Sequence, residues 1–269
     1  MTQKTSRKEA SFLFFEEDIP DIVRGHEIWV EHDMHNVSPG DPVTCGLCFG
    51  HNMKSDKAVQ VDKVTPSVSG TWGENHAVEV SAAENHLLMQ FTPSFEGYHT
   101  IGVEYDGGIL NLPHPGLEGP KYYHQYAKTI IPVGNCRTDY CQTENCQTEN
   151  CQTEYCQAEY DLMVGHELEI IPLGYRQCKV GEHILLKIVY DRHALPDVIV
   201  YGIHAGNREN PIEATTDQEG IVDIELEKDG KWMFKVGYRD PKKGVKDLYD
   251  KKVMTATFTI MEVGENIWK

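Results

Sequence analysis

Apolar and polar residues alternate in short runs from Gly25 onward, and stretches with the 3.6-residue period of a helix are nearly absent. Alternation is the signature of a strand with one face buried. It predicts strands over 26–31 and 43–49, separated by the turn signal Ser38-Pro39-Gly40-Asp41, and further strands over 77–80, 87–91 and 97–105. The last of these is expected to end at Asp106-Gly107-Gly108. Residues 111–119 are rich in proline and glycine and read as a loop, while 122–131 fits either a strand or a short helix. Beyond residue 160 the alternation resumes. Runs at 168–171, 183–190, 198–205, 221–226, 232–238 and 253–260 have the spacing of sandwich strands. Asp229-Gly230 has the composition of a hairpin turn, Thr216 to Gly220 reads as another turn, and Asp240-Pro241 closes a strand.

The two strand-rich stretches are separated by five similar pentapeptides, CRTDY, CQTEN, CQTEN, CQTEY and CQAEY, which place Cys136, Cys141, Cys146, Cys151 and Cys156 at a spacing of five. A helix would rotate each cysteine by roughly 140° from the last, and a strand would put successive ones on opposite faces. Five copies are also too few for a stacked solenoid. The segment is therefore expected to be an acidic, thiol-bearing loop. The predicted fold class is all-β: two β-sandwich-like domains joined by a low-complexity Cys-rich loop. The expected boundaries are a disordered lead-in at 1–24, an N-terminal β domain at 25–133, the repeat at 134–160, and an Ig-like or prealbumin-like β-sandwich at 161–269.

Composition narrows the function. A chain of 269 residues favours two modest domains, and 40% apolar content suffices for packed cores. The 42 acidic against 25 basic residues give a net charge of -17. That excess repels nucleic acid and anionic membranes and concentrates cations. No run approaches the ~20 apolar residues needed to span a bilayer. The apolar cluster Phe12 to Phe15 is followed at once by Glu16, Glu17 and Asp18, which is too short for a signal-peptide core, so the sequence alone reads as cytoplasmic.

Several motifs carry a family resemblance. In the second half these are Glu169-Ile170-Ile171-Pro172-Leu173, Gly181-Glu182, Val189-Tyr190-Asp191, Leu195-Pro196, Thr216-Asp217, Gly220 and Gly230-Lys231-Trp232. In the first half they are Gly25-His26-Glu27-Ile28-Trp29-Val30, Pro39-Gly40-Asp41-Pro42-Val43, Gly50-His51 and Tyr126-Ala127-Lys128. In this order they resemble the DUF4198 family, described as the periplasmic component of cobalt and nickel uptake systems. The resemblance covers roughly 25–133 and 165–263. It implies two β-sandwich-like domains, a role in metal uptake or delivery, and a metal permease of ABC or ECF type as partner. The sequence departs from the family pattern in three places. A polar, acidic stretch precedes His26 where members carry a signal peptide. Cys45 and Cys48 stand where apolar or basic residues are usual, and the Cys repeat fills a normally short linker.

Imidazole suits nickel, cobalt, zinc and copper, and thiolate suits zinc, Cu(I) and nickel. His26 and His51 lie in the family motifs, so the expected site joins them, with His99 on a later strand as third ligand. Cys45-x-x-Cys48-x-x-His51 has ligand-like spacing but lacks the second pair of a zinc finger. The competing reading makes the histidines surface or satisfied core residues, and Cys45 and Cys48 small buried hydrophobes. The repeat cysteines, interleaved with Glu144, Glu149, Glu154 and Glu159, are expected to take zinc or copper, against an inert surface loop as the alternative. No G-x-S-x-G, H-E-x-x-H or phosphate-cradling glycine loop occurs, which argues against an enzyme. The expected function is nickel or cobalt binding in uptake or delivery. The alternative is a non-catalytic β-sandwich interaction or scaffold module.

Overall fold

The computed structural model describes residues 25–33, 36–70, 73, 75–111, 118–134, 162–175 and 178–264. The lead-in and the pentapeptide repeat, with its five cysteines, lie outside the described residues. The described fold is almost entirely β, as the alternation predicts, and its sixteen strands form three sheets.

The central sheet has seven strands. In spatial order they are β13 (Ile212–Thr215), β12 (Ile199–His204), β15 (Gly230–Asp240), β16 (Lys251–Val263), β8 (Pro120–Val133), β7 (Gly97–Asn111) and β4 (Val64–Gly70). Strands from both sides of residues 134–160 therefore share one sheet. The junction is the parallel pairing of β16 with β8, in register from Lys251↔Lys121 to Thr259↔Thr129. A second sheet contains β1 (Glu27–Glu31), β2 (Val43–His51), β6 (His86–Phe91) and β5 (Glu79–Ala82), with β3 (Lys54–Ser55) paired to β2. The third contains β11 (His193–Ala194), β10 (His183–Tyr190) and β14 (Ile221–Glu225), with β9 (Leu168–Leu173) paired to β10.

Successive side chains of a strand point to opposite faces, and β8 uses both faces. Its odd-numbered Ala127, Ile131 and Val133 join Ile101 and Val103 of β7 under the second sheet, against Leu47, Phe49, Leu87 and Met89. Its even-numbered Tyr126 and Ile130 join Phe234, Met254 and Phe258 under the third sheet, against Leu168, Leu186 and Ile188. The two covering sheets thus lie on opposite faces of the central one. Strand β1 spans the parallel junction. Gln125 Nε2 donates to the carbonyl of His26 (2.5 Å), Thr257 Oγ1 to that of Ile28 (2.8 Å) and Thr259 Oγ1 to that of Val30 (2.6 Å). Side chains of the central sheet thereby satisfy alternate carbonyls on the edge of β1 that β2 does not pair. Trp29 then packs on Met233 and Ile203, flanked by the ion pairs Glu27–Lys235 (3.3 Å) and Glu31–Lys231 (3.2 Å).

Three expectations need correction. Asp106-Gly107-Gly108 does not end a strand: β7 runs through it with a bulge between Asp106 and Gly108. Gly108 adopts φ 79°, and its amide donates to Asp106 Oδ1 (2.9 Å), so the turn-forming residues serve a strand irregularity. Asp229-Gly230 does not close a hairpin, because β14 lies in the third sheet and β15 in the central one, so the turn crosses between layers. Strand β4 was not anticipated, since Pro66 and its serines obscure the alternation. It occupies an edge, where proline is tolerated. The ambiguous 122–131 lies within strand β8.

Lys128, on the β8 face below the third sheet, is 1% exposed and forms an ion pair with Glu169 of β9, also 1% exposed, at 2.8 Å. Lys128 also donates to the Leu162 carbonyl, and the Glu169 carboxylate accepts from the amides of Val164 and Gly165. Burial opposes ionisation of Glu169, but Lys128 outweighs it and holds the carboxyl below its ordinary value. The pair pins segment 162–169 to the central sheet. Removing one member of a buried pair strands a charge and costs about 3–5 kcal/mol, whereas removing both costs less than the sum. Denaturant unfolding should therefore show a large loss for Lys128→Met and a smaller one for Lys128→Met combined with Glu169→Leu. Additive losses would mean that the pair is not coupled.

Candidate functional site

The structure brings two of the three expected metal-binding histidines together. The His26 and His51 rings lie 6.0 Å apart, next to Phe49. His26 Nε2 contacts Asp56 Oδ2 at 2.6 Å, while His51 is half-exposed with Nδ1 at 3.3 Å from the Gly25 carbonyl and 3.9 Å from Glu27. Glu27 is fully buried, and desolvation raises its pKa despite Lys235.

His99 does not join them. It is 1% exposed, its Nε2 lies 3.0 Å from the Phe95 carbonyl, and its ring packs 5.2 Å from that of His76. Phe49, which touches His26, meets β7 at Tyr105, six residues from His99, or about 20 Å along a strand. Cys45 and Cys48 lie three apart on β2 and so face opposite ways. Cys45 is in the core under the second sheet, Cys48 packs beside Trp29, and burial pushes both thiols up to about 12, away from the thiolate a metal needs. Among the described residues, no three His, Cys, Asp or Glu side chains converge closely enough to hold a metal ion. Cys136, Cys141, Cys146, Cys151 and Cys156 lie outside the described residues.

A different group forms a cleft. It lies where the third sheet ends over β8, leaving the even-numbered face of β7 to segment 162–167. Gly102 permits this close approach: a Cβ there would lie 2.7 Å from Val164 Cγ2 and 2.9 Å from His166 Nε2. The cleft measures 380 Å³ and is lined by Glu104, His124, Tyr126, Gly165–Glu167, Asp191, Arg192 and Lys243. Glu104 of β7 lies opposite Tyr126 of β8, and His124 stacks on Tyr126 with 4.7 Å between ring centres. The Tyr126 hydroxyl donates to Glu167 Oε2 at 3.2 Å. Glu167 also meets Lys252 and Lys243, the latter at 3.0 Å, and Lys243 reaches Asp191 at 2.8 Å.

This network sets the local electrostatics. Hydrogen bonds from Lys243 to Asp191 and Glu167 raise the lysine pKa. Burial opposes ionisation of Glu167, but Lys252 and Lys243 prevail and leave it low. The His124 ring holds the Glu104 carboxyl below its usual range. Burial lowers His166 to about 4 and raises the Tyr126 hydroxyl. The cleft was missed in the sequence because its residues come from five separate segments. Only Tyr126 and Asp191 belong to the motifs recognised there.

Among the described residues, no helix is long and apolar enough to cross a membrane. None of the curated proteins matches the chain. Among solved structures, domains 5–6 of the S-layer protein SbsC are 13% identical with a TM-score of 0.24, the match covering 89% of this chain and 97% of that one. The Escherichia coli adhesin FdeC is 11% identical (TM-score 0.24; 86% of this chain, 63% of that one). The Yersinia pseudotuberculosis adhesin InvE is 12% identical over 88% of this chain and 59% of that one. The chain thus spans about six tenths of each adhesin chain. A sequence profile of DUF4198, a domain of unknown function, matches residues 23–240, on both sides of the cysteine repeat, and the chain belongs to that family.

Proposed function

We propose that this protein is a non-catalytic binding module whose central sheet presents the cleft at Glu104, His124 and His166 to a ligand. The observation that carries this reading is the ion-pair network of the cleft, in which Glu167 meets Lys243 and Lys252 and Lys243 also meets Asp191, and the pKa directions agree with it. Every displaced group moves away from neutrality: His166 and the carboxyls of Glu104 and Glu167 downward, Lys243 and Tyr126 upward. General acid–base catalysis favours a pKa near the working pH. A fixed, charge-balanced network suits recognition instead. The expected result is ligand-dependent thermal stabilisation by members of a small-molecule panel, with no panel member consumed when the mixture is followed by NMR. Consumption of a stabilising compound would contradict the reading.

A second reading rests on the other end of the molecule. His26 and His51 are neighbours beside Asp56 and Glu27, and a histidine whose second nitrogen is held by a carboxylate resembles an oriented metal ligand. With a net charge of -17, this arrangement supports nickel or cobalt binding at His26 and His51, and it leaves zinc or copper to the repeat cysteines. A metal permease would then be the partner. Titration of the reduced protein with nickel, cobalt, zinc and copper, with and without residues 134–160, checks this reading. Nickel binding that survives the deletion and weakens in His26→Ala supports the histidine pair. Nickel affinity unchanged by His26→Ala removes it.

A further inference from the structure

The cleft's internal network leaves groups of opposite character unused at two places. At one, the half-exposed Glu104 contacts His124 Nε2 at 3.3 Å and forms no ion pair with a lysine or arginine among the described residues, Lys252 acting on it only from farther away. The contact is long for a charged hydrogen bond and leaves His124 Nε2 poorly satisfied, and the deeply buried His166 Nε2 has no hydrogen-bond partner among the described residues. A buried polar atom left unsatisfied is destabilising. A ligand bearing several N–H donors would meet the Glu104 carboxylate and, with each ring in the tautomer that leaves Nε2 unprotonated, would relieve that cost.

At the other place is Arg192. Asp191 and Arg192 form the two-residue turn between β10 and β11, Tyr190 pairing with His193, and both adopt left-handed φ, 48° and 66°. Two non-glycine residues in this region are unusual, and the turn holds the guanidinium at the rim. Asp191 is taken by Lys243, whereas Arg192 enters no ion pair among the described residues. Between the two places, Lys243 and Lys252 neutralise Glu167 and Asp191.

We propose that the cleft binds a small zwitterion carrying a primary ammonium and a carboxylate, an amino acid or dipeptide, with the ammonium at Glu104, His124 and His166 and the carboxylate at Arg192. A simple anion would meet Glu104 and Glu167, and a simple cation would meet Arg192 and Lys243. A metal ion needs ligands closer together than any three found here. An ammonium nitrogen keeps its acceptors at about 2.7–3.2 Å, farther than a metal ion at about 2.0–2.2 Å, and so tolerates a wider ring. A volume of 380 Å³ lies near the small end of ligand pockets, which span about 300–1,000 Å³.

This inference rests on the module being a non-catalytic binder, and one experiment separates the two claims. Isotope-labelled full-length protein is titrated with an amino-acid mixture, glycylglycine, putrescine and succinate, while the ligands themselves are followed for conversion. The zwitterions should shift the amides of 102–104, 124–126, 164–167 and 191–192. Their affinity should fall about tenfold or more in Glu104→Gln and in Arg192→Gln, since each variant loses a charge-assisted hydrogen bond to the ligand. Putrescine and succinate should bind more weakly than the zwitterions to the unmodified protein. No zwitterion-dependent shift in the cleft, unchanged affinity in both variants, or equal binding of succinate or putrescine overturns the site. Binding with conversion of the ligand keeps the site and overturns the non-catalytic reading.

Discussion

The parallel pairing of β8 with β16 is the constraint on which the rest of the structure depends. Parallel strands cannot be joined by a tight turn; they need a long crossover. Between β8 and β16 the chain passes through β9, β10, β11 and β14 of the third sheet and through β12, β13 and β15 of the central one, so most of the C-terminal half is built into this connection. The alternation of β8 then supplies one wall to each of two cores, Ala127 and Ile131 to one and Tyr126 and Ile130 to the other. With both faces of this strand buried, a register slip of one residue would exchange the two cores, so the register is tightly fixed. Strand β1 reinforces the junction through its carbonyls, held by Gln125, Thr257 and Thr259.

The cleft is a geometric consequence of this arrangement. The third sheet covers the central sheet only as far as β8, and segment 162–167 must run across the uncovered face of β7 to reach β9. Lys128 and Glu169 fix that segment from below, and Gly102 lets it lie close. The polar side chains stranded at the sheet's boundary, Glu104, His124 and His166, face the turn that carries Arg192. The same ion-pair logic that stabilises the boundary makes it polar and charge-balanced.

The strands were legible in the sequence because alternation reports one buried face directly. The run 183–190 coincides with β10, and most others differ from the observed strand by a few residues at their ends. The shared sheet was not legible. Period-two alternation shows that a strand has a buried face but not which sheet it joins, and β8, buried on both sides along its C-terminal half, reads ambiguously as a helix or a strand. The histidines illustrate a second limit. His26 and His51 meet because β1 and β2 pair with Glu27 opposite Gly50, a local antiparallel relation that motif context hinted at. His99 lies on β7 of the central sheet, whereas His26 and His51 lie at β1 and β2 of the second sheet, and residue type alone carries no such distance. His166 stood out least, as a lone histidine before a strand, yet it is the deeply buried one in the cleft.

Native-state hydrogen exchange across a denaturant series tests the shared sheet most directly. Amides of β2 and β10, which belong to opposite covering sheets, should merge with those of β8 and β16 into one global opening with a single free energy and slope. Separate isotherms, with β10 and β16 opening while β2 and β8 stay closed, would contradict the account and show two halves that fold independently.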